Sequence, residues 1–146
     1  MSAFRFSLEK ALEWRRKQLE LEETRFKQCV AALATLDGQR AELEAAAIRA
    51  ELEVRGSSVI AGCDLEALGR FRRAVQDREA ALELRRADSR TKMESQQTVM
   101  MAARRRCRLL ERLRERRLAE WTAVRDKELE ELAAESYLAR WVKQAG

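Results

Sequence analysis

Between Arg104 and Arg117 the chain reads RRRCRLLERLRERR, eight arginines against Glu111 and Glu115, a local charge of +6. Guanidinium groups at this density can neutralise nucleic-acid phosphates, grip the carboxylates of a protein partner, or cover apolar positions with their stems and leave the charge in water. Directly afterwards, Glu120 to Glu135 holds six acids against Arg125 and Lys127, which would repel a duplex continuing along the same axis. No nucleic-acid partner is therefore expected. A protein with acidic rims and apolar pockets would use the arginines and their neighbouring leucines together, and a solvated helix face is the plain alternative.

Catalytic chemistry has little to work with. The 146 residues include no histidine, which excludes the Ser-His-Asp arrangement, imidazole acid–base work and His-ligated zinc. Cys29, Cys63 and Cys107 lie 34 and 44 residues apart with no CxxC spacing, so reduced, unbridged thiols are expected and no metal. There is no Gly-rich phosphate loop and no EF-hand spacing, and the adjacent carboxylates Glu22-Glu23 and Glu130-Glu131 suit solvated helix faces. The expectation is a protein that is not an enzyme and uses no cofactor.

The elements that carry these residues should be long helices. Proline is absent, only five glycines occur, and 38% of the residues are charged, 24 arginines and six lysines interspersed with 25 acids. No apolar run approaches the roughly 20 residues that span a bilayer, and MSAFRFSLEK holds no apolar stretch of signal-peptide length, so a cytoplasmic location is expected.

Ser7 is the expected N-cap with Glu9 in the first turn, and a heptad follows. Positions 12, 19, 26, 33, 40, 47 and 54 read Leu, Leu, Phe, Leu, Arg, Ala, Val; their companions 8, 15, 22, 29, 36, 43 and 50 read Leu, Arg, Glu, Cys, Leu, Leu, Ala. A repeat of 3.5 residues kept this long implies a left-handed supercoil with a long partner. Gly38 leaves the repeat in phase and marks a soft point of about 1 kcal/mol. Small residues cluster only from Gly56 to Asp64, which places the turn at about 55–64 with Asp64 as the next N-cap. A looser stripe then runs through Leu68, Phe71, Val75, Leu82, Met93, Met100, Cys107, Leu110 and Leu113, with Ser89, Gln96 and Gln97 on or near the seam.

The fold class expected is all-α: a single coiled-coil domain over 1–146, a long two-helix antiparallel hairpin. Its first helix runs from about 4 to 54 and is about 77 Å long, its second from about 65 to 142 and about 117 Å. Facing residue numbers should sum to about 119, setting Val54 opposite Leu65 and Leu8 near Glu111. The second helix then outruns the first from about Arg116. That overhang carries Leu118, Trp121, Val124, Leu129, Leu132, Tyr137, Leu138 and Trp141, an apolar set that suggests a partner and is marginal as an isolated helix. Trp14 lies off the seam and is expected to be partly exposed.

Two end patterns are more specific than heptads. FRFSLEKALEWRRKQLELEE, with Phe4, Phe6 and Leu8, and RRCRLLERLRERRLAEWTAVRDKELEELAAESYLAR, with Leu113-Arg114-Glu115-Arg116-Arg117 before an acidic stretch from Glu130 to Ala134, resemble the FliJ family of flagellar type III export proteins. The likeness covers nearly the whole chain. It implies a stalk-like coiled coil that stands in the centre of the hexameric flagellar export ATPase, promotes its assembly and turnover, and links it to the export-gate membrane protein, with export chaperones as further partners. It places the protein in the cytoplasm at the face of the inner membrane beneath the basal body, held there through partners only. Under that resemblance the end of the hairpin that carries both termini enters the ring. Arg104, Arg105, Arg108, Arg112, Leu113, Arg116, Arg117, Trp121, Val124 and Leu132 would form the ATPase-ring contact, and Leu65, Leu68, Phe71, Arg72 and Val75 the export-gate contact. An injectisome stalk and a structural coiled coil that self-associates through its overhang are the alternatives.

Overall fold

The computed structural model describes residues 2–146 and contains two helices, α1 (Glu9–Arg55) and α2 (Gly62–Ala145), of 47 and 84 residues. They form the all-α two-helix hairpin that the heptads require. Neither helix is long and apolar enough to cross a membrane.

Both helices start differently from expectation. At α1 the Leu12 amide donates to the Leu8 carbonyl at 2.9 Å and the Glu9 amide to the Phe6 carbonyl at 3.1 Å, so Leu8, not Ser7, holds the N-cap position. At α2 the Leu65 amide donates to the Ala61 carbonyl at 3.4 Å, and Asp64 falls inside the first turn. There its carboxylate still meets the positive end of the helix dipole. The connection is shorter than expected, Gly56 to Ala61. A side chain at Gly56 would place its Cβ 3.0 Å from the Leu52 carbonyl oxygen, closer than such contacts ordinarily come.

Contacts divide the chain into two units: residues 1–20 with 102–146, and residues 21–101. In the second unit, the heptad positions of α1 are covered from Glu22 to Val54 with one exception, Arg40. Across from them Leu68, Val75 and Met100 are buried and Leu82, Met93 and Ser89 half-buried. Phe71 and Gln97 lie outside the seam, exposed, because the covered positions of α2 run 68, 75, 79, 82, 86, 89, 93, 96, 100. This run brings Glu79 and Arg86 inward instead. The Arg86 Nε donates to Asp37 at 2.6 Å and its Nη1 to Glu83 at 3.1 Å. Its hydrogen bond to Asp37, followed by that to Glu83, holds the guanidinium above its ordinary pKa despite some desolvation.

One layer of this seam is polar. Glu22 is only 8% exposed, and its carboxylate accepts from the Gln96 amide and from Arg25 Nη1 at 3.0 Å, while the same Gln96 nitrogen donates to the Glu22 carbonyl at 3.3 Å. A buried carboxylate held this way admits few alternative alignments of the helices.

In the first unit the seam consists of Leu12, fully buried, and Cys107, 2% exposed, flanked by half-buried Arg15, Leu19, Leu110 and Arg114. Arg114 Nε reaches Glu9 at 3.0 Å and Arg16 Nε reaches Glu111 at 3.4 Å. Cross-helix contacts spread about the expected sum of 119: the seam contact of Gln96 with Glu22 adds to 118, whereas the flanking pairs Glu9 with Arg114, Asp37 with Arg86 and Glu51 with Arg72 add to 123 and Arg16 with Glu111 to 127. A slip of one helical turn would keep apolar stripes facing while changing which charges meet, so the polar layer and the ion pairs flanking the seam choose among the possible registers.

Candidate interaction surface

Residues 2–6 are not helical. Phe4 and Phe6, two positions apart, are both half-buried, with Arg5 and Ser7 exposed beside them. The Phe4 ring lies 6.0 Å from that of Trp121 at an interplanar angle of 57°, the tilted geometry that ring quadrupoles favour. Arg114 stands over Phe4 at 5.7 Å and Arg125 over Trp121 at 5.4 Å.

The result is an open groove between the N-terminal segment and α2, lined by Phe4, Arg5, Phe6 and Ser7 on one side and by Arg117, Glu120, Trp121 and Val124 on the other. The overhang thus begins after Val124, not at Arg116. From Arg125 to Ala145 every residue of α2 is exposed, Leu132 at 55%, Tyr137 at 69% and Trp141 at 62%.

The ten residues expected to form one ring-facing surface do not share one face. Arg117, Trp121 and Val124 meet in the groove, with Leu113 half-buried on the same side. Arg105, Arg108, Arg112 and Arg116 are exposed along another face, turned from the groove by roughly a third of the helix circumference. None of these four makes an ion pair among the described residues. Arg104 is half-buried, and Leu132 stands alone two turns beyond the groove. Phe4, Arg5 and Phe6 are groove residues that the charge and heptad patterns did not nominate. Their signal was the alternation of two phenylalanines immediately before the helix start.

The five residues expected to meet an export gate divide too. Leu65 and Phe71 are exposed, whereas Leu68 and Val75 are buried in the hairpin's own seam, and Arg72 pairs with Glu51 at 3.0 Å. Leu68 and Val75 thus support this surface from beneath. Leu65 also borders a shallow concavity with Glu66, Gly69, Arg70 and Arg73. Trp14 is 53% exposed, with the Arg15 guanidinium 4.8 Å above its ring.

No protein-family model matches the chain, and no curated protein and no solved structure is significantly similar to it.

Proposed function

We propose that this chain is a non-enzymatic component of flagellar type III protein export, a stalk that binds the hexameric export ATPase and promotes its assembly and activity. The observation that carries the reading is the end of the hairpin that holds both termini. There, a non-helical Phe-x-Phe segment and an arginine-rich α2 build an aromatic, basic groove, and α2 continues beyond it with exposed apolar residues. A large exposed apolar surface beside unpaired guanidinium groups suits a protein partner with acidic rims. The resemblance of the two end patterns to the FliJ family supplies the identity of that partner. The export gate would meet the loop-proximal surface of Leu65, Phe71 and Arg72, export chaperones would be additional partners, and the site of action would be the cytoplasmic face of the inner membrane.

The test is ATP hydrolysis by the cognate export ATPase, titrated with the full chain, with a chain ending at Val124, and with R112E/R116E/R117E. Stimulation by the full chain that is lost in the triple variant, with helicity unchanged, supports the reading. Equal stimulation by the triple variant removes the arginines from the contact. No stimulation of an active, oligomerising ATPase by the full chain overturns the stalk.

A further inference from the structure

The exposed arginines of α2 belong to a longer line. From Arg105 the line continues through Arg108, Arg112 and Arg116 to Ala119 and Ala123, and then to Asp126, Glu130, Ala134, Tyr137 and Trp141. Its ten steps of three or four residues average 3.6, the repeat of a straight α-helix, and every member is exposed. One half of this line is basic and the other acidic and aromatic. Arg112 and Glu130 lie five turns apart on one helix, far beyond the three or four residues over which side chains of a helix pair. Neither Asp126 nor Glu130 makes an ion pair among the described residues.

We propose that this line is a self-association surface, on which a second copy of the chain lies antiparallel across Ala119 and Ala123. With the two-fold axis midway between these alanines, facing residue numbers sum to 242. Arg116 then meets the partner's Asp126, Arg112 the partner's Glu130, and Arg105 the ring of the partner's Tyr137, each contact occurring twice. Arg108 falls opposite the partner's Ala134, one turn from its Glu130. Arginine–carboxylate pairs and a cation over an aromatic face are the contacts these groups favour.

The small residues lie where the geometry needs them. At the crossing, Ala119 and Ala123 border a shallow hollow with Leu118 and Thr122, closed at its ends by Glu115 and Asp126. Alanines there let two helix axes approach at about 8 Å, the short end of the usual range. The change of charge sign along the line selects the occupant. A parallel copy would set arginine against arginine, and a nucleic acid held by the arginines would meet Asp126 and Glu130 further along. An antiparallel copy satisfies both halves at once, as isologous symmetry requires.

The dimer would hide Arg112 and Arg116, so self-pairing and binding to another protein through these arginines exclude each other. The inference does not depend on the export reading, because it is tested on the isolated full chain. Sedimentation at low ionic strength should give a species of twice the 16.9 kDa chain mass that dissociates as salt screens the pairs. R112E and E130R should each be monomeric with unchanged helicity. Mixing those two variants should restore the dimer, since each chain then offers the charge that the other needs, and the double variant R112E/E130R should dimerise alone. A wild-type chain that stays monomeric at low salt and high concentration would overturn the proposal. So would a dimer that R112E leaves intact, or two monomeric variants that fail to pair on mixing.

Discussion

The polar layer of Glu22 and Gln96 should set alignment at the expense of stability, and a double-mutant cycle measures this directly. Gln96→Leu removes the amide that donates to the Glu22 carboxylate, which keeps its ion pair with Arg25 at 3.0 Å. A nearly buried acceptor stripped of a donor costs about 1–3 kcal/mol. Glu22→Leu leaves the Gln96 amide with the backbone carbonyl of residue 22, and the new apolar contact offsets much of the loss, for a net cost of about 1 kcal/mol or less. With both changed, two leucines face one another across the seam. Replacing a buried polar pair by packed apolar groups is worth about 1–3 kcal/mol in favour of the variant.

The two singles therefore destabilise and the double stabilises, a coupling of at least about 2 kcal/mol. For a chain of this size about 3 °C accompanies each kcal/mol, so thermal unfolding followed by circular dichroism should show Gln96→Leu melting lower than the native chain and the double variant higher. Spin labels at exposed Lys27 and Lys92 report the alignment. Their distance distribution should be single in the native chain and broadened in the double variant, where one-turn slips carry little penalty. Additive single effects, or a double variant less stable than the native chain, would show that the layer does not trade stability for alignment.

Burial and contact set four further outcomes. Leu12→Ala, at a fully buried position, should cost about 2–4 kcal/mol by urea unfolding, whereas exposed Leu132→Ala should change stability by less than about 0.5 kcal/mol. Phe4→Ala should release the N-terminal segment from Trp121, shifting tryptophan emission to the red and losing about 0.5–1.5 kcal/mol of ring contact; unchanged emission would contradict the strap geometry. A thiol reagent should modify Cys63 first, Cys29 more slowly and Cys107 only as the seam opens, while amide exchange should be fastest from Arg125 to Ala145, where α2 has no neighbour. Rapid labelling of Cys107 in the folded chain would place it outside the seam.

Of the fourteen heptad positions read from residue 8 to residue 54, twelve are covered in the structure, the exceptions being Leu8 and Arg40. Even Arg15 and Glu22, polar residues at seam positions, lie where the period puts them. Period is local: each residue's angle on the helix follows from its number, and 3.5-residue spacing of apolar side chains demands a partner whatever that partner is. The looser stripe of α2 misled at Phe71, which is apolar but out of phase, and concealed Arg86, which is charged but in phase. Counting phase before hydrophobicity would have found both.

What the period leaves open is the alignment of one helix on the other, because stripes displaced by a turn match almost equally well. That was decided in three dimensions, by Glu9 with Arg114, Asp37 with Arg86, Glu51 with Arg72, and the Glu22–Gln96 layer. The N-terminal groove has the same origin. Phe4 and Trp121 are separated by most of the chain, and their contact exists because the non-helical residues before α1 lie beside α2. Helical phase and the need for a partner follow from spacing along one strand of chain; register, and the groove that depends on it, come from contacts between residues that spacing cannot relate.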